Sequence, residues 1–232
     1  MIDLDGARVV LSADDGRLGF AVATSGVHVA TQDAIAWLLV EGGRGSLATA
    51  GHSIDVSARN DVFAGTGASA YVGPNATATA DGALQCVIVW RAFAGTVESR
   101  IIEPADVQVE YRGSGAFART VRTYLSTGPL IAGETINPPG GWSSYPPHRH
   151  DDFEEAYLYR FEPRRGFGLA AQYDDVTDRE AFVVHDGDVT RIRRGYHPVV
   201  AAPGYAMAYI WALAGDAQTF SPSLDPAHSW VS

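Results

Sequence analysis

The sequence contains no lysine. Its 232 residues carry 17 basic side chains, all of them arginine, against 27 acidic ones, so the formal net charge is −10. Without lysine, the chain cannot form a Schiff base with a carbonyl substrate or with pyridoxal phosphate. It also cannot build the phosphate-binding loop that ends in Gly-Lys-Ser/Thr. Any carbonyl that this protein activates must be polarised by arginine, a backbone amide or a metal ion, and a small anion would be held by a guanidinium group.

The chain is also poor in cysteine and in long apolar segments. Cys86 is the only cysteine, which excludes an intramolecular disulfide and suits a reducing compartment. No apolar run approaches the roughly 20 residues that a membrane helix needs, and the first residues lack the basic and apolar pattern of a signal peptide. An acidic balance argues against a nucleic-acid surface. We therefore expect a cytoplasmic protein that binds neither nucleic acid nor membrane.

The pattern of short apolar runs predicts an all-β fold. The 25 glycines and 12 prolines are spread through the chain, and a helical period is hard to find between them. Runs rich in Val, Ile, Tyr, Phe and Trp predict strands over residues 35–40, 85–90, 107–111, 155–161, 166–173, 181–185 and 205–211. The first of these runs ends at a glycine pair. Many short strands at such spacing favour a sandwich or a small barrel.

The two halves of the chain share a weak repeat. In the first half, a turn and strand at residues 59–62 precede a glycine-containing turn at 71–75. In the second half, residues 186–189 and 194–198 follow the same order. This repetition predicts a duplicated barrel, and a single large sandwich is the alternative.

The boundary between the two barrels is predicted near residues 103–106, where Glu-Pro-Ala-Asp has the composition of a linker. We predict an N-terminal barrel over residues 1–102 and a C-terminal barrel over residues 103–232. The first half has no counterpart of the His-x-His pair at residues 148–150 of the second half. We therefore expect the N-terminal barrel to be degenerate and without metal ligands.

The strongest chemical signal is a histidine pair in the second half. Residues i and i+2 of a strand point to the same face, so His148 and His150 are expected to project together. Glu155 leads the next strand, and His197 follows a glycine-containing turn further along. Three imidazoles and a carboxylate suit one divalent cation with an open position, and Zn, Mn, Fe(II), Ni and Co all fit such a set.

Two alternatives accompany this interpretation. A lone His-x-His is most often an exposed pair at a sheet edge, and it is the added carboxylate and the third histidine that favour a metal site. Glu154 competes with Glu155, because the length of the intervening turn is undetermined from the sequence. Glu155 is preferred because it leads the clearest alternating strand, which runs to Tyr159.

Longer motifs around these residues resemble a known family. Residues 140–151, residues 194–205 and the tail at residues 225–230 are similar to the 5-deoxyglucuronate isomerases of myo-inositol catabolism. These are members of the cupin superfamily and are related to the 4-deoxy-5-ketouronate isomerases. The similarity is dense from about residue 102 to residue 230 and faint before that.

The resemblance implies a bicupin of two tandem jelly-roll barrels with one divalent metal ion in the C-terminal barrel. Its ligands would be His148, His150, Glu155 and His197. The implied reaction is an aldose–ketose isomerisation of a deoxy-uronate, such as 5-deoxy-D-glucuronate to 5-dehydro-2-deoxy-D-gluconate. The chain is shorter than expected for the family. The loop between His150 and Glu155 is also shorter, and because this loop borders the expected metal site, the resemblance does not determine which uronate is the substrate.

Isomerisation also needs a group that moves a proton between adjacent carbons. Tyr157 and Tyr159 share the face of Glu155, and Tyr209 lies on a later strand. We predict that these tyrosines contribute to catalysis, although each also suits core packing. Glu154 is a further candidate for the base.

The carboxylate of a sugar acid calls for a bidentate arginine. Arg194 is the first choice because it is close to His197 in sequence, whereas Arg149 and Arg160 have the opposite parity to the ligands on their strands.

Other functions remain open from the sequence. The protein can be another cupin metalloenzyme, namely a ketouronate isomerase or an Fe(II) oxygenase, or a cupin that binds a sugar acid without turnover. The predicted partner is a small sugar acid, or another small acid if the protein is an oxygenase. We also expect a homodimer, because small barrels with exposed sheet edges often pair through them.

Overall fold

The computed structural model describes residues 1–13, 18–57, 59–174, 179–192, 195–215 and 222–231. Across these residues the fold is almost entirely β. The described residues include three short 3₁₀ turns, at Pro104–Asp106, Gly115–Phe117 and Pro226–His228. None of the helices in the described part of the chain is long and apolar enough to pass through a bilayer.

The chain divides into two compact units, residues 1–107 and residues 108–232. The boundary predicted after residue 102 lies slightly before this division. Part of the predicted linker forms the 3₁₀ turn at Pro104–Asp106, which falls within the first unit.

The first unit consists of antiparallel strands. Its described residues form β1 (Ile2–Asp5), β2 (Arg8–Leu11), β3 (Gly19–Ala23), β4 (Val27–Thr31), β5 (Ala34–Thr49), β6 (His52–Val56), β7 (Ser69–Val72), β8 (Thr77–Ala92) and β9 (Arg100–Ile102). The main path through the sheet is β1-β4-β8-β5-β7-β9, with β2 and β3 continuing from β8 and with β6 paired to β5.

The long strand β5 does not end at the glycine pair, as the sequence pattern suggested. It runs for 16 residues and pairs with β8 along its length, with a register shift between Val40 and Gly42. Gly43 has φ +99°, and a Cβ there would lie 2.0 Å from the carbonyl oxygen of Ala83. Glycine allows this close approach of two backbones, so the strand continues where side chains would have stopped it.

A buried arginine stabilises the irregular part of β5. Arg59 is 5% exposed, and its Nε and Nη2 donate to the Val40 carbonyl oxygen at 3.1 and 2.7 Å. Its Nη1 donates to the Gly65 carbonyl oxygen at 2.9 Å. These bonds give partners to carbonyl groups near the bulge.

The second unit forms a six-stranded sheet, a four-stranded sheet and a two-stranded ribbon. Its described strands are β10 (Gln108–Arg112), β11 (Arg119–Leu125), β12 (Leu130–Asn137), β13 (Trp142–Ser143), β14 (His148–Arg149), β15 (Phe153–Glu162), β16 (Phe167–Tyr173), β17 (Arg179–His185), β18 (Val189–Ile192), β19 (Val199–Ala201), β20 (Ala206–Gly215) and β21 (Ser223–Leu224). Their orders are β10-β11-β12-β20-β15-β18, β13-β19-β16-β17 and β14-β21.

The register of the six-stranded sheet brings the predicted functional strands side by side. Strand β15 pairs with β20 over its full length, and Tyr159 lies opposite Tyr209. Thr135 of β12 lies opposite Tyr209 on the other side of β20. Since side chains alternate between the faces of a sheet, these three residues share one face.

Candidate metal centre

Three histidines of the second unit converge on one point. His148 lies in β14, His150 follows that strand, and His197 precedes β19. Their ring centroids are 5.0 to 5.2 Å apart, and one ligand atom from each lies within 4.8 Å of the others. Arg149, between the first two, has its Nε 2.9 Å from Asp151 Oδ1. The alternation expected of a strand therefore separates the histidines from the arginine.

Backbone carbonyl groups orient two of the rings. His148 Nδ1 is 3.1 Å from the Pro146 carbonyl oxygen, and His197 Nδ1 is 3.1 Å from the Gly195 carbonyl oxygen. A carbonyl oxygen only accepts, so each Nδ1 carries the proton and donates. The tautomer fixed in this way leaves the Nε2 lone pair available for a ligand, an arrangement typical of metal-binding histidines.

The carboxylate of Glu155 completes the group. Its Oε2 is 3.0 Å from His197 Nε2 and 3.3 Å from His150 Nε2. Burial by itself raises the pKa of this carboxyl group, but the adjacent His150 and His197 outweigh burial and hold the pKa well below its usual range. Glu155 is therefore ionised.

The neighbouring carboxylate, Glu154, belongs to a different contact. Its Oε1 is 3.1 Å from Nε of Arg191, which lies on β18. Consecutive residues of a strand face opposite sides of the sheet, so β15 can present only one of the two glutamates to the histidines, and that one is Glu155.

The imidazole of His148 is neutral. Burial lowers its pKa from 6.5 to about 3, with further lowering by His197 and His150. A neutral imidazole and an ionised carboxylate are the protonation states in which these side chains bind metal.

The residues present fit a divalent metal ion. His197 Nε2 and Glu155 Oε2 are both buried and lie 3.0 Å apart. With the His197 proton on Nδ1 both atoms are acceptors, so neither makes a hydrogen bond within the part of the chain that the structure describes. Buried polar atoms normally have partners. A divalent cation would be a partner for both atoms, because it can be bound by the imidazole lone pair and the carboxylate oxygen together. Three imidazoles with one carboxylate suit Zn, Mn, Fe, Co or Ni, because none of these ions is selected sharply by such a set.

A cavity of about 390 Å³ opens beside these donors. His148, His150 and Glu155 form one part of its lining. Most of the remainder comes from the inner face of the six-stranded sheet, namely Gln108, Arg112, Arg119, Val121, Thr123, Ile131, Thr135, Tyr157, Tyr209, Trp211 and Leu213. The volume is within the usual range for sites that bind small molecules.

Two of the three predicted tyrosines line this cavity. The hydroxyl groups of Tyr157 and Ser144 are 2.8 Å apart, those of Tyr209 and Ser143 are 2.6 Å apart, and the two tyrosine ring centroids are 4.3 Å apart. Burial raises the pKa of Tyr157 well above 10, and the nearby Glu155 adds to this. Tyr157 is therefore a neutral hydroxyl group at the edge of the histidine cluster.

The other predicted residues lie elsewhere. Tyr159 does not line the cavity, and its hydroxyl is 3.0 Å from that of Thr190. Arg194 lies outside the described residues. Arg149 and Arg160, ranked below it, do not line the cavity either.

Sequence reasoning did not single out several residues of the cavity wall. Ser144 has φ +49°, a conformation uncommon for a residue other than glycine, and its hydroxyl group holds that of Tyr157. Arg119, Thr123 and Thr135 contribute from β11 and β12. The alternation in β11 shows that Arg119 and Thr123 share a face, but only the strand pairing shows that this face is the inner one.

A sequence profile of the KduI/IolB family matches residues 21–231. The chain belongs to the KduI/IolB family. Among solved structures, this family member is similar to an IolB-like protein from Salmonella typhimurium LT2, with a TM-score of 0.87, 25% identity and coverage of 98% of both chains.

Curated relatives of this KduI/IolB chain include two named 5-deoxy-glucuronate isomerase. The protein from Geobacillus kaustophilus is 40% identical over 150 residues, and the one from Geobacillus thermodenitrificans is 39% identical over 150 residues. These matches cover 59% of this chain and 54% and 55% of the two relatives. The chain thus spans about half the length of the curated relatives it matches.

More distant structures agree in fold alone. An oxalate decarboxylase from Lactobacillus farciminis has a TM-score of 0.60 at 10% identity, with coverage of 92% of this chain and 85% of the other. Together with the IolB-like structure, this confirms the predicted all-β fold of the bicupin type. The family resemblance drawn from the sequence motifs is confirmed as well.

Proposed function

We propose that this KduI/IolB family member is a metal-dependent aldose–ketose isomerase that acts on a deoxy-uronate such as 5-deoxy-glucuronate. The observation that carries the proposal is the convergence of His148, His150, His197 and Glu155 beside a cavity of about 390 Å³. The names of the curated relatives support the substrate class.

The three histidines and Glu155 would hold the metal ion. When bound, a divalent ion supplies Lewis-acid polarisation of a carbonyl oxygen. The chain's own contribution is to orient the imidazoles. The carbonyl groups of Pro146 and Gly195 do this for His148 and His197.

The isomerisation also moves a proton between two adjacent substrate oxygens, and we assign this transfer to the Tyr157 hydroxyl group. It lines the cavity, lies 2.8 Å from Ser144 Oγ and is held in the neutral form by its raised pKa. A neutral hydroxyl group can donate its proton to one substrate oxygen while it accepts the proton of the other, so this transfer creates no charge in the interior. The Ser144 hydroxyl group, which can donate or accept, holds that of Tyr157 in position. The ring of Tyr209 packs against that of Tyr157 and so helps to hold the Tyr157 side chain in place.

The test is turnover by the purified chain, loaded separately with Zn²⁺, Mn²⁺, Fe²⁺, Ni²⁺ or Co²⁺. Incubation with 5-deoxy-glucuronate should give the ketose, followed by NMR, and a chelator-treated sample should give none. Full activity in the chelated sample would contradict metal dependence. Preferential turnover of 4-deoxy-5-ketouronate, or uptake of dioxygen, would favour the other cupin enzymes considered above.

Cytoplasmic location, a sugar-acid partner and a homodimer belong to the same proposal. Gel filtration at two protein concentrations tests the dimer independently of activity.

A further inference from the structure

Two arginines line the cavity in addition to the metal-type donors. They are Arg119 on β11 and Arg112 on β10. The register of the two strands places them directly opposite each other, so their side chains stand on the same face. In a chain with a formal net charge of −10, this pair forms a local positive region within the cavity wall.

The two guanidinium groups differ in their availability to a ligand. Nε of Arg112 donates to Glu110 Oε2 at 2.8 Å, and its Nη2 contacts the same oxygen. Arg119 instead donates from Nη1 to the carbonyl oxygen of Phe117 at 3.0 Å. No carboxylate among the residues that the structure describes pairs with it. The hydrogen-bond acceptor of Arg119 is thus neutral. The positive charge of its guanidinium group is therefore available to an anionic ligand.

The segment before Arg119 folds towards the catalytic side of the cavity. The ring of Phe117 lies 5.6 Å from that of Tyr145, and Tyr145 follows Ser144, which lines the cavity. A sugar acid carries its aldehyde and its carboxylate at opposite ends of the molecule. The cavity likewise has two chemistries, with metal-type donors in one part and Arg119 in another.

We infer that Arg119 binds the carboxylate of the substrate, with Arg112 beside it as a second, partly neutralised cation. This rests on the proposed function and names the group that would select an acid over an uncharged sugar. A guanidinium group matches a carboxylate with two parallel hydrogen bonds, so the replacement of Arg119 should affect an acid and spare its alcohol counterpart.

The experiment compares two substrates in the metal-loaded enzyme. One is 5-deoxy-glucuronate, and the other is 5-deoxy-glucose, in which a hydroxymethyl group replaces the carboxylate. For Arg119→Gln, kcat/KM on the acid should fall about 10- to 100-fold, mainly through KM, while kcat/KM on the alcohol stays unchanged. Arg119→Lys should recover part of the loss, because it restores the charge but not the bidentate geometry.

Arg164→Gln is the matched control. The Arg164 side chain is 85% exposed and pairs with Asp186, and it does not line the cavity, so both substrates should be unaffected. Metal content by mass spectrometry should equal that of the wild type in every variant. An equal loss on both substrates, or no loss on either, would overturn the assignment.

A binding measurement separates this inference from the proposed function. If the wild type turns over neither substrate, the isomerase proposal fails, and calorimetric titration with D-glucuronate decides the role of Arg119. Binding by the wild type that weakens at least about 10-fold in Arg119→Gln would support the carboxylate site. Equal binding by both proteins, or no binding by the wild type, would overturn it.

Discussion

The two units of this chain use antiparallel strands for different purposes. In the first unit, the core cluster consists almost entirely of aliphatic side chains such as Leu38, Val40 and Ile88, joined by Trp90. In the second unit, the inner face of the main sheet presents Glu155 and Tyr157 to a cavity instead. Apolar side chains at alternate positions fill a sheet interior, whereas polar side chains at equivalent positions leave room and chemistry for a ligand.

In the second unit, local hydrogen bonds compensate for the burial of polar side chains. Buried hydroxyl groups are paired with one another, as in Tyr157 with Ser144 and Tyr159 with Thr190. An unpaired buried polar group destabilises a fold by about 1–3 kcal/mol. Each of these pairings avoids that penalty, so the second unit can contain polar side chains in its interior. Core substitutions in the first unit should therefore affect stability alone, whereas substitutions in the cavity wall of the second unit should affect its chemistry as well.

The largest expected effect is the loss of metal binding in the second unit. His197→Ala should lower the metal content from about one ion per chain to a small fraction of that, because it removes a donor that is 1% exposed. Isomerase activity should disappear with the metal, while the circular dichroism spectrum remains that of a folded β-protein. His185→Ala is the control, since His185 is an exposed residue of β17. Undiminished metal content in His197→Ala would rule out the site.

A second prediction concerns two tyrosines on one face of β15. Tyr157→Phe should lower kcat by about 10²- to 10⁴-fold, the usual contribution of a group that transfers a proton, with little change in KM. Tyr159→Phe should leave kcat nearly unchanged, because its hydroxyl group is bonded to Thr190 and lies outside the cavity lining. Steady-state kinetics on metal-loaded protein checks both variants. Equal losses in the two would remove the case for Tyr157 as the proton carrier.

In the first unit, the removal of core volume should affect stability alone. Ile88 is fully buried in the aliphatic cluster, so Ile88→Ala should lower the free energy of unfolding by about 2–5 kcal/mol. The metal content of the folded protein should not change. Urea titration followed by fluorescence measures the first quantity, and Val9→Ala at a half-exposed position is the comparison. A folded Ile88→Ala protein that no longer binds metal would contradict the division of roles.

The smallest expected effect is at a hairpin turn of the first unit. Ala50 and Gly51 join β5 to β6 with φ +52° and +76°, the combination that a type I′ turn requires. Ala50→Asn should raise the free energy of unfolding by about 0.5–1 kcal/mol, because asparagine tolerates this conformation better than alanine does. Ala50→Val should lower it. Thermal unfolding distinguishes the two, and a stabilising valine would show that the turn is not of this type.

Local patterns in the sequence were sufficient to predict the all-β class and the relative positions of His148, Arg149 and His150. Alternation along a strand predicted that His148 and His150 lie together and that Arg149 lies apart, since it depends only on the pleat. The all-β class followed from short apolar runs in the same way. The end of the first long run was misjudged, because glycine allows β5 to continue past residue 43.

The carboxylate and the cavity wall needed the tertiary structure. Which of two adjacent glutamates faces the histidines depends on how many residues the turn before β15 takes up, and the structure selects Glu155. Arg119 was not foreseen, because it lines the same cavity as His148 and His150 only through the pairing of β11 with β12 and of β12 with β20.

By itself, the sequence determined the chemical types at the site. It excluded lysine chemistry, supplied three histidines and a carboxylate, and fixed the faces on which neighbouring residues stand. The tertiary structure decided which of these residues meet, because the contact between His197 and Glu155 and the lining of one cavity by Arg119 and Glu155 join segments that are distant along the chain. Such contacts depend on strand order and register, and local propensity does not encode them.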